Sequence, residues 1–319
     1  MSLYPFNPKL HQKIQGEDGT TPCDQAFIAH YNAEPAAEDT DGIHAAIACT
    51  TPAISATCVV KAASAETDIL TTTAPAAIGA AANALSILLV TAEDDTLAVT
   101  AEGAVITIAL AKTTAAKNAA ALIQAAIRLL EEVDGVDVSA FTCAAGGNWD
   151  TAAVATGEEE AVAFEGGQTA AADVVTTNIT NPDVPRNITA TAGGTAGDIG
   201  AVAVTIEGTN AAGEVISETL PAFTANTAAT KAGNKAFKTV TKITTPAHDG
   251  TGATTAIGWG SKLGLVHKLA HNTVLAAYID NTIEDTAPTV AVSATALESN
   301  TVTLASTLDG DPVDVYYMV

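Results

Sequence analysis

The second half of the chain alternates short apolar runs with turn-forming residues. From Asn178 to the C terminus, runs of Thr, Val and Ile are separated by Gly, Pro, Asn and Asp, which is typical of an all-β domain with tight connections. The runs 200–207 and 214–220 flank a polar, glycine-containing segment and predict a β-hairpin. Further strands are predicted at 237–243, 273–279, 289–292, 301–304 and 313–318. We therefore expect residues 169–319 to form a β-sandwich-like domain or a small barrel.

Residues 66–168 show a different pattern, in which strand runs surround one helical period. Apolar residues recur at helical spacing between 119 and 130 and predict one long helix. Thr113 or Thr114 is its expected N-cap, and Gly135, just after Val133, is its expected stop. Strands are predicted at 85–91, 96–100, 104–110 and 136–142. This segment is expected to be an α+β module, a sheet with one long helix packed on it.

The N-terminal region divides into two segments. Residues 1–42 are rich in proline and charge without a sustained period, which predicts an extended N-terminal arm. Two interpretations of this arm stay open: a disordered tail, or a segment that orders on a neighbouring subunit through Tyr4, Phe6 and Phe27. The β-branched residues of 43–60 predict one or two strands.

Composition and charge narrow the classes of partner. Hydrophobic residues make up 48% of the chain but aromatic residues only 4%. Cores built from small side chains bury little area per residue, so we expect added stability from a homo-oligomer or a partner. The net charge of −23 argues against a nucleic-acid backbone or an anionic membrane as the ligand.

The sequence also bears on the compartment of the protein. No apolar run of roughly 18 residues or more is present, so no membrane span is expected. The N-terminal residues lack a basic segment followed by an apolar one, so no secretory signal is expected and the protein is predicted to be made in a cytoplasm. The four cysteines have no C-x-x-C spacing and favour separate thiols, although a Cys49–Cys58 bridge across a hairpin stays open. They are Cys23, Cys49, Cys58 and Cys143.

Candidate chemical sites are few. His267 and His271 are four residues apart, but Lys268 stands where a zinc-protease helix carries Glu. The glycine-rich segment 193–200 lacks a following Lys-Ser/Thr and predicts a turn between strands instead of a phosphate loop. Acidic clusters without EF-hand spacing are interpreted as solvated loops; they lie at 93–95, 158–160 and 309–311. We predict no catalytic, cofactor-binding or metal-binding residue, and we do not expect an enzyme.

Several segments of the second half are distinctive in their order along the chain: 181–189 (Asn-Pro-Asp-Val-Pro-Arg-Asn-Ile-Thr), 208–214, 234–241, 257–265, 267–278, 294–301 and 315–317. In this order they resemble a recurring group of tailed-bacteriophage virion structural proteins. The resemblance covers about half of the chain and implies a non-enzymatic structural protein of a virion. The expected role is a decoration, cement or head-fibre subunit on the outer capsid surface, with the major capsid protein as its partner.

Two alternatives to this role stay open. One is a phage tail component, such as a tube or sheath subunit. The other is a cell-surface adhesin or carbohydrate-binding module.

Two further resemblances bear on domain organisation. Residues 66–168 resemble a second kind of phage module, and Asp-Gly-Ile-His-Ala-Ala at 41–46 resembles the opening of the first group. Together they imply that 66–168 is inserted into a host β domain. The strands within 43–65 would then belong to the C-terminal domain and pair beside the strands that follow residue 173.

Large side chains are rare in this chain, so those at 257–265 stand out. Trp259, Leu263 and Leu265 lie among the glycines of Ile-Gly-Trp-Gly-Ser-Lys-Leu-Gly-Leu. Because aromatic anchors dominate many interfaces, we predict that these three residues form a contact surface at the tip of the domain. The alternative, in which Trp259 fills the core, stays open.

Overall fold

The computed structural model describes residues 14–15, 22–23, 28–62, 65, 67–153 and 160–319, with side chains from residue 28 onward. Over these residues the protein is mainly β, with several sheets and few helical turns. The predicted fold class, a β-sandwich or barrel-like domain with an α+β module, is confirmed.

Thirteen strands precede residue 168 in the described part of the chain. They are β1 (Ile14–Gln15), β2 (Pro22–Cys23), β3 (Ile28–Ala33), β4 (Asp39–Ala48), β5 (Thr57–Lys61), β6 (Ile69–Thr73), β7 (Ser86–Thr91), β8 (Ala98–Glu102), β9 (Val105–Leu110), β10 (Glu132–Val133), β11 (Val136–Asp137), β12 (Thr142–Gly146) and β13 (Val162–Ala163). The two α-helices are α1 (Ala120–Arg128) and α2 (Trp149–Ala152), and 3-10 turns span Gly79–Ala84 and Ala115–Asn118.

Twelve strands follow residue 168. They are β14 (Asp173–Val175), β15 (Arg186–Gly194), β16 (Thr205–Thr209), β17 (Val215–Thr219), β18 (Ala229–Phe237), β19 (Thr239–Thr245), β20 (Ala253–Gly264), β21 (Val274–Ile279), β22 (Thr282–Ile283), β23 (Thr289–Ala291), β24 (Thr301–Thr303) and β25 (Val313–Met318). Short 3-10 turns occur at Ala196–Asp198 and Leu297–Ser299.

The module between β5 and β13 contains two small sheets, ordered β12-β6-β5 and β13-β7-β9-β8. Strands β7 and β9 run parallel, and the other pairs in these sheets are antiparallel. The sheets and α1 enclose the first core, whose buried side chains include Leu89, Ile108, Ile123, Phe141 and Trp149. The Nε1 of Trp149 donates to the carbonyl of Asn118 at 2.9 Å, so this buried indole N–H is satisfied.

Helix α1 is much shorter than predicted. Ala119 has φ −55° and ψ 139°, an extended conformation that separates the 3-10 turn Ala115–Asn118 from the helix. Neither Thr113 nor Thr114 caps α1; its first amide, that of Ala120, donates to Asp150 Oδ1 at 2.8 Å. The helix ends at Arg128, before the predicted stop, and the glycine expected there forms the turn of the β10–β11 hairpin instead.

Two larger sheets form the centre of the host domain. One has the order β18-β15-β20-β24-β23, with β4 also paired to β20, and the other has the order β14-β19-β16-β17. Their inward side chains make the second core; it includes Ile188, Ile206, Phe237, Ile243 and Ile257. The predicted hairpin is present as β16 and β17, whose register runs from Thr205↔Thr219 to Thr209↔Val215.

A third sheet, β22-β21-β25-β3, packs on the end of the host domain. Its inner side chains join residues of β20 and β24 in the third core, which includes Tyr31, Leu263, Val302, Val315 and Tyr317. Strand β20 therefore contributes to two cores, since Ile257 lies in the second one.

The run 237–243, which we predicted to be a single strand, divides at Lys238. Phe237 ends β18 and pairs with Arg186, whereas Thr239 begins β19 and pairs with Thr209 of the opposite sheet. The chain changes sheets at this point because Phe237 and Val240 enter the same core from its two sides.

The expected domain borders need two corrections. Strand β4 pairs with β20, but β5 pairs with β6 and belongs to the first core, so the chain enters the module before β5 and not near residue 65. The entry and exit segments lie side by side, because the amide of Ile54 donates to the carbonyl of Gln168 at 2.9 Å. Within the predicted arm, residues 28–33 form β3, which pairs along β25.

Candidate interaction surface

The predicted contact residues of β20 lie inside the domain. Leu263 is 0% exposed and Leu265 is 1% exposed, and both pack in the third core. The prediction that these two leucines contact a partner is therefore wrong. Leu263 is buried because β20 is a central strand, paired with β15 on one side and with β4 and β24 on the other. Leu265 follows the end of β20, and its amide donates to the carbonyl of Asn300 at 2.8 Å.

Trp259 is partly buried and makes contacts within the chain. Its Nε1 donates to the carbonyl of Ala37 at 3.0 Å, and its ring covers Gly42, where a Cβ would lie 2.6 Å from a ring carbon. Next to it, a Cβ on Gly258 would lie 1.8 Å from the carbonyl oxygen of Asp39, so only glycine lets β4 approach. Trp259 thus fastens the segment before β4 onto β20, which favours the intramolecular interpretation over the contact one.

The buried side chain of Arg186 contacts the same region, at Gly260 of β20 and at Ala36. Its side chain is fully buried; Nε donates to the carbonyl of Gly260 at 2.7 Å, and Nη1 donates to the carbonyl of Ala36 at 2.9 Å and to Asp183 Oδ1 at 3.2 Å. The guanidinium carbon lies 5.9 Å from the centroid of the Trp259 ring. Burial lowers the pKa of Arg186. One cation therefore links three backbone segments of the host domain.

Tyr4, Phe6 and Phe27 fall outside the described residues.

Exposed aromatic and aliphatic side chains converge instead on the outer face of the third sheet. The register pairs Ile28 with Met318, His30 with Tyr316, and Tyr278 with Ile283, which places these six side chains on one side. We call this surface the tyrosine face. Ile28 is 67% exposed and Ile283 is 54% exposed. The alternate residues of β25, such as Val315 and Tyr317, point inward and are fully buried.

The rings of the tyrosine face contact one another closely. His30 stacks on Tyr316 with ring centroids 4.5 Å apart and planes 1° from parallel. Tyr278 meets Tyr316 edge-on at 6.0 Å. Such aromatic pairs contribute about 0.5–1.5 kcal/mol beyond their buried area and hold the rings in fixed positions. The face is therefore preorganised, so its rings lose little freedom when a partner binds.

Hydrogen bonds fix the polar edge of the face. Asp314 Oδ1 accepts from Asn32 Nδ2 at 2.8 Å and lies 2.6 Å from His30 Nε2. The hydrogen bond from Asn32, followed by that from His30, holds the pKa of Asp314 below its usual value. Asp314 is therefore ionised and orients the imidazole that stacks on the tyrosine ring.

One end of the tyrosine face is strongly acidic. Asp280, Asp309 and Asp311 lie in the loops where β21 ends and β25 begins, and the amide of Asp280 donates to the carbonyl of Pro312 at 2.9 Å. The amide of Asp311 donates to Asp309 Oδ1 at 3.3 Å. Repulsion from Asp309, followed by burial and repulsion from Asp280, raises the pKa of Asp311. None of the four strands of the sheet carries Lys or Arg.

Other exposed apolar side chains are scattered. Leu129 at the end of α1 and Val215 on β17 are highly exposed, but each stands on a different element and neither belongs to a ring cluster. Single exposed apolar residues are normal on protein surfaces. The tyrosine face differs because its rings and aliphatic groups are contiguous.

The remaining polar candidates serve structural roles. His267 Nδ1 is 2.9 Å from the hydroxyl of Tyr317. In the cluster 93–95, Asp95 accepts from the amides of Thr113 and Thr114 at 2.9 Å each, and the Thr114 hydroxyl bond, followed by one from Lys117, lowers the pKa of Asp95. No group of three or more His, Cys, Asp or Glu side chains within the described ranges is placed to hold a metal ion.

The cysteine bridge left open above does not form. The Cys49 thiol donates to the carbonyl of His248 at 3.8 Å, and the Cys58 thiol donates to the carbonyl of Val162 at 3.2 Å, so the two thiols have different partners. Cys143 lies 3.4 Å from the Thr72 hydroxyl.

No protein-family model matches the sequence, and no curated protein or solved structure is significantly similar to it.

Within the described part of the chain, no helix has the length and apolar character needed to cross a membrane.

Proposed function

We propose that this chain is a non-enzymatic structural subunit of a tailed-phage virion, bound to the outer capsid surface as a decoration, cement or head-fibre protein. The observation that carries the proposal is the tyrosine face, together with the resemblance of 181–317 to virion structural proteins. In a chain with 4% aromatic residues, two tyrosines and a stacked histidine are held at the surface by a sheet. Aromatic anchors of this kind dominate the energetics of protein interfaces.

The charge around the face selects the partner. An apolar centre next to Asp280, Asp309 and Asp311, without a cation on its four strands, suits a partner whose apolar pocket is bordered by Lys or Arg. The partner proposed is the major capsid protein. Attraction between opposite charges would also speed the encounter with a shell and make it sensitive to salt.

A second copy of the chain fits this face less well. Two faces meeting about a two-fold axis would each bring the same acidic loops to a contact between chains of net charge −23. Like charges oppose such a contact. The homo-oligomer expected from composition would then form through another surface. The molecular mass of the protein in solution tests whether the oligomer exists.

An electron-microscopy map of particles from the phage that encodes the chain tests the proposal. We expect density for the three-sheet host domain at regular positions of the capsid lattice, with Tyr278 and Tyr316 turned toward the shell. Density stacked along the tail would replace the capsid role by a tail role, and particles without the chain would contradict the proposal. Specific binding to a cell-wall polysaccharide in place of particles would favour the adhesin alternative.

A further inference from the structure

A groove lined by both polar and apolar groups lies on a different part of the host domain, on the outer side of the sheet that contains β20 and β24. Its volume is about 320 Å³. Strands β18 and β20 supply one wall and strands β23 and β24 supply the other. The lining residues are Asn234, Lys262, Thr289, Ala291, Val292, Ser299, Thr301 and Thr303. This volume is at the lower end of the range found for small-molecule sites in proteins, roughly 300–1,000 Å³.

Strand register arranges the hydroxyls of the groove in rows. Thr289 pairs with Thr303, and Ala291 pairs with Thr301, so the three threonines face the same side of the β23–β24 ribbon. Leu263 pairs with Val302, which places the preceding residue of β20, a lysine, beside the first row. The polar groups of the groove therefore stand on paired strands at fixed spacing.

These hydroxyls have no partner within the described part of the chain. In some cross-strand pairs elsewhere, the two threonine hydroxyls bond each other: Thr191 and Thr230 at 2.9 Å, and Thr205 and Thr219 at 3.0 Å. Thr289 and Thr303 are cross-strand partners too, yet their hydroxyls form no hydrogen bond with a described residue, and the same holds for Thr301 and Ser299. Each hydroxyl can donate one hydrogen bond and accept two. The groove thus presents four unused hydroxyls to one small volume.

A single cation stands beside them. Lys262 Nζ donates to the carbonyl of Gly233 at 3.1 Å and to Asn234 Oδ1 at 2.6 Å. An ammonium group carries three donors, so one N–H is left for a ligand. The neighbouring cation, Lys235, is paired instead with Glu298 at 3.7 Å. The charge offered to the groove is therefore positive, although the whole chain is strongly negative.

We infer that this groove binds a small saccharide that carries a carboxylate. The sugar hydroxyls would bond the hydroxyls of Thr289, Ser299, Thr301 and Thr303, and the carboxylate would accept from Lys262. The side chains of Ala291 and Val292 offer apolar contact for the C–H face of the ring. A neutral saccharide would leave the remaining N–H of Lys262 without an acceptor. We therefore expect an acidic saccharide to bind more tightly than a neutral one.

Titration with sodium glucuronate tests the inference on the intact protein. We expect changes in backbone amide chemical shifts confined to the groove, with a Kd of about 1 mM, an affinity in keeping with a few hydrogen bonds. Glucose should bind about tenfold more weakly because it lacks the carboxylate. Acetate at the same concentration should leave the groove unchanged, because a carboxylate alone does not reach the hydroxyls.

Matched variants assign the contacts. Replacing Thr289 and Thr303 together by Val keeps the side-chain shape and should weaken glucuronate binding at least about tenfold. The control pair, Thr191→Val with Thr230→Val, removes hydroxyls that bond each other and should leave binding unchanged. Lys262→Met should abolish the preference for glucuronate over glucose. Amide shifts outside the groove, unchanged in each variant, show that the fold is retained.

Three results would overturn the inference. The first is no localised shift at about 20 mM glucuronate, a concentration well above the expected Kd. The second is binding that persists unchanged in the Thr289→Val, Thr303→Val variant. The third is an equal response to acetate, which would mean an adventitious anion contact.

Discussion

Two stretches that carry large side chains differ in how the fold covers them. The segment 259–265 covers the end of β20 and the residue that follows it, and β20 has strands on both sides and cores on its inner face. The segment Tyr316–Met318 lies on β25, whose inner residues are buried but whose outer residues meet no layer. Similar residue types thus become core in one place and surface in the other, because exposure depends on which elements cover a strand.

The comparison also separates two uses of an aromatic ring. Trp259 donates its N–H to the chain itself and covers Gly42, so its contacts are already satisfied. The rings of Tyr278 and Tyr316 contact each other and His30 but leave their outer surfaces open. Only the second arrangement leaves apolar area for a partner.

Truncating a leucine in each region should have very different effects on stability. Leu263→Ala removes a fully buried side chain and should lower the free energy of unfolding by about 2–5 kcal/mol. Leu275→Ala on β21 removes a side chain that is 54% exposed and should change it by about 0.5 kcal/mol or less. Urea denaturation of both variants measures this, and similar losses would break the distinction between the regions.

Removing the buried cation should have the next largest effect. Arg186→Met keeps much of the side-chain volume but loses the hydrogen bonds to Ala36 and Gly260, and should cost about 2–3 kcal/mol. The release of the segment before β4 should also increase hydrogen exchange of residues 36–42. Lys242→Met, which breaks an exposed pair with Glu207, is the control and should cost about 0.5 kcal/mol.

Changes on the tyrosine face should affect folding less than the truncation of a core leucine. Tyr278→Ser combined with Tyr316→Ser removes two ring pairs and should cost about 1–3 kcal/mol. Thermal unfolding measures this loss. A loss above about 5 kcal/mol, beyond the range for a buried leucine, would mean that the face is part of the packed interior.

The smallest effect is a pH dependence that belongs to the β20 region. His248 is buried; its Nδ1 accepts from the amide of Gly200 at 3.2 Å, and Nε2 is 2.8 Å from the hydroxyl of Thr255 on β20. Burial lowers the pKa of His248, while Asp249 and Asp173 oppose this shift.

Because His248 binds a proton more readily in the unfolded chain than in the folded one, protonation favours unfolding. The stability that the neutral, buried His248 provides is therefore complete above the unfolded pKa of about 6.5 and is lost as the pH falls below it. Unfolding free energies of the wild type and of His248→Asn between about pH 7 and pH 5 measure the effect. The variant should show a flatter pH dependence, and an unchanged slope would contradict the assignment.

Much of the fold follows from local patterns in the sequence. The apolar run 85–91 and the β-branched and aromatic run 313–318 both mark strands, and the module and the host domain have different periods. The helix was overestimated because apolar spacing does not register the extended conformation of Ala119 or the cap supplied by Asp150. Both depend on contacts with residues distant in the sequence.

The candidate surface could not be located by local patterns. The alternation along β25 indicates that Tyr316 and Tyr317 face opposite sides of the sheet. It does not indicate which of the two sides is covered by the rest of the domain. That depends on β3, some 280 residues earlier in the chain, since Tyr316 pairs with His30. Conversely, the large side chains among the glycines of 257–265 predicted a contact surface at the tip of the domain, whereas Gly258 permits the close approach of β4.

The central claim is that the tyrosine face binds the phage shell, and one binding measurement tests it most directly. Shells assembled without the chain are mixed with the wild type or with the Tyr278→Ser, Tyr316→Ser variant, and the bound fraction is measured by sedimentation at low and high salt. The wild type should bind, more weakly at high salt, and the variant should bind at least about tenfold more weakly while it still unfolds in one cooperative transition. Equal binding by the folded variant, or no binding by the wild type, would contradict the account.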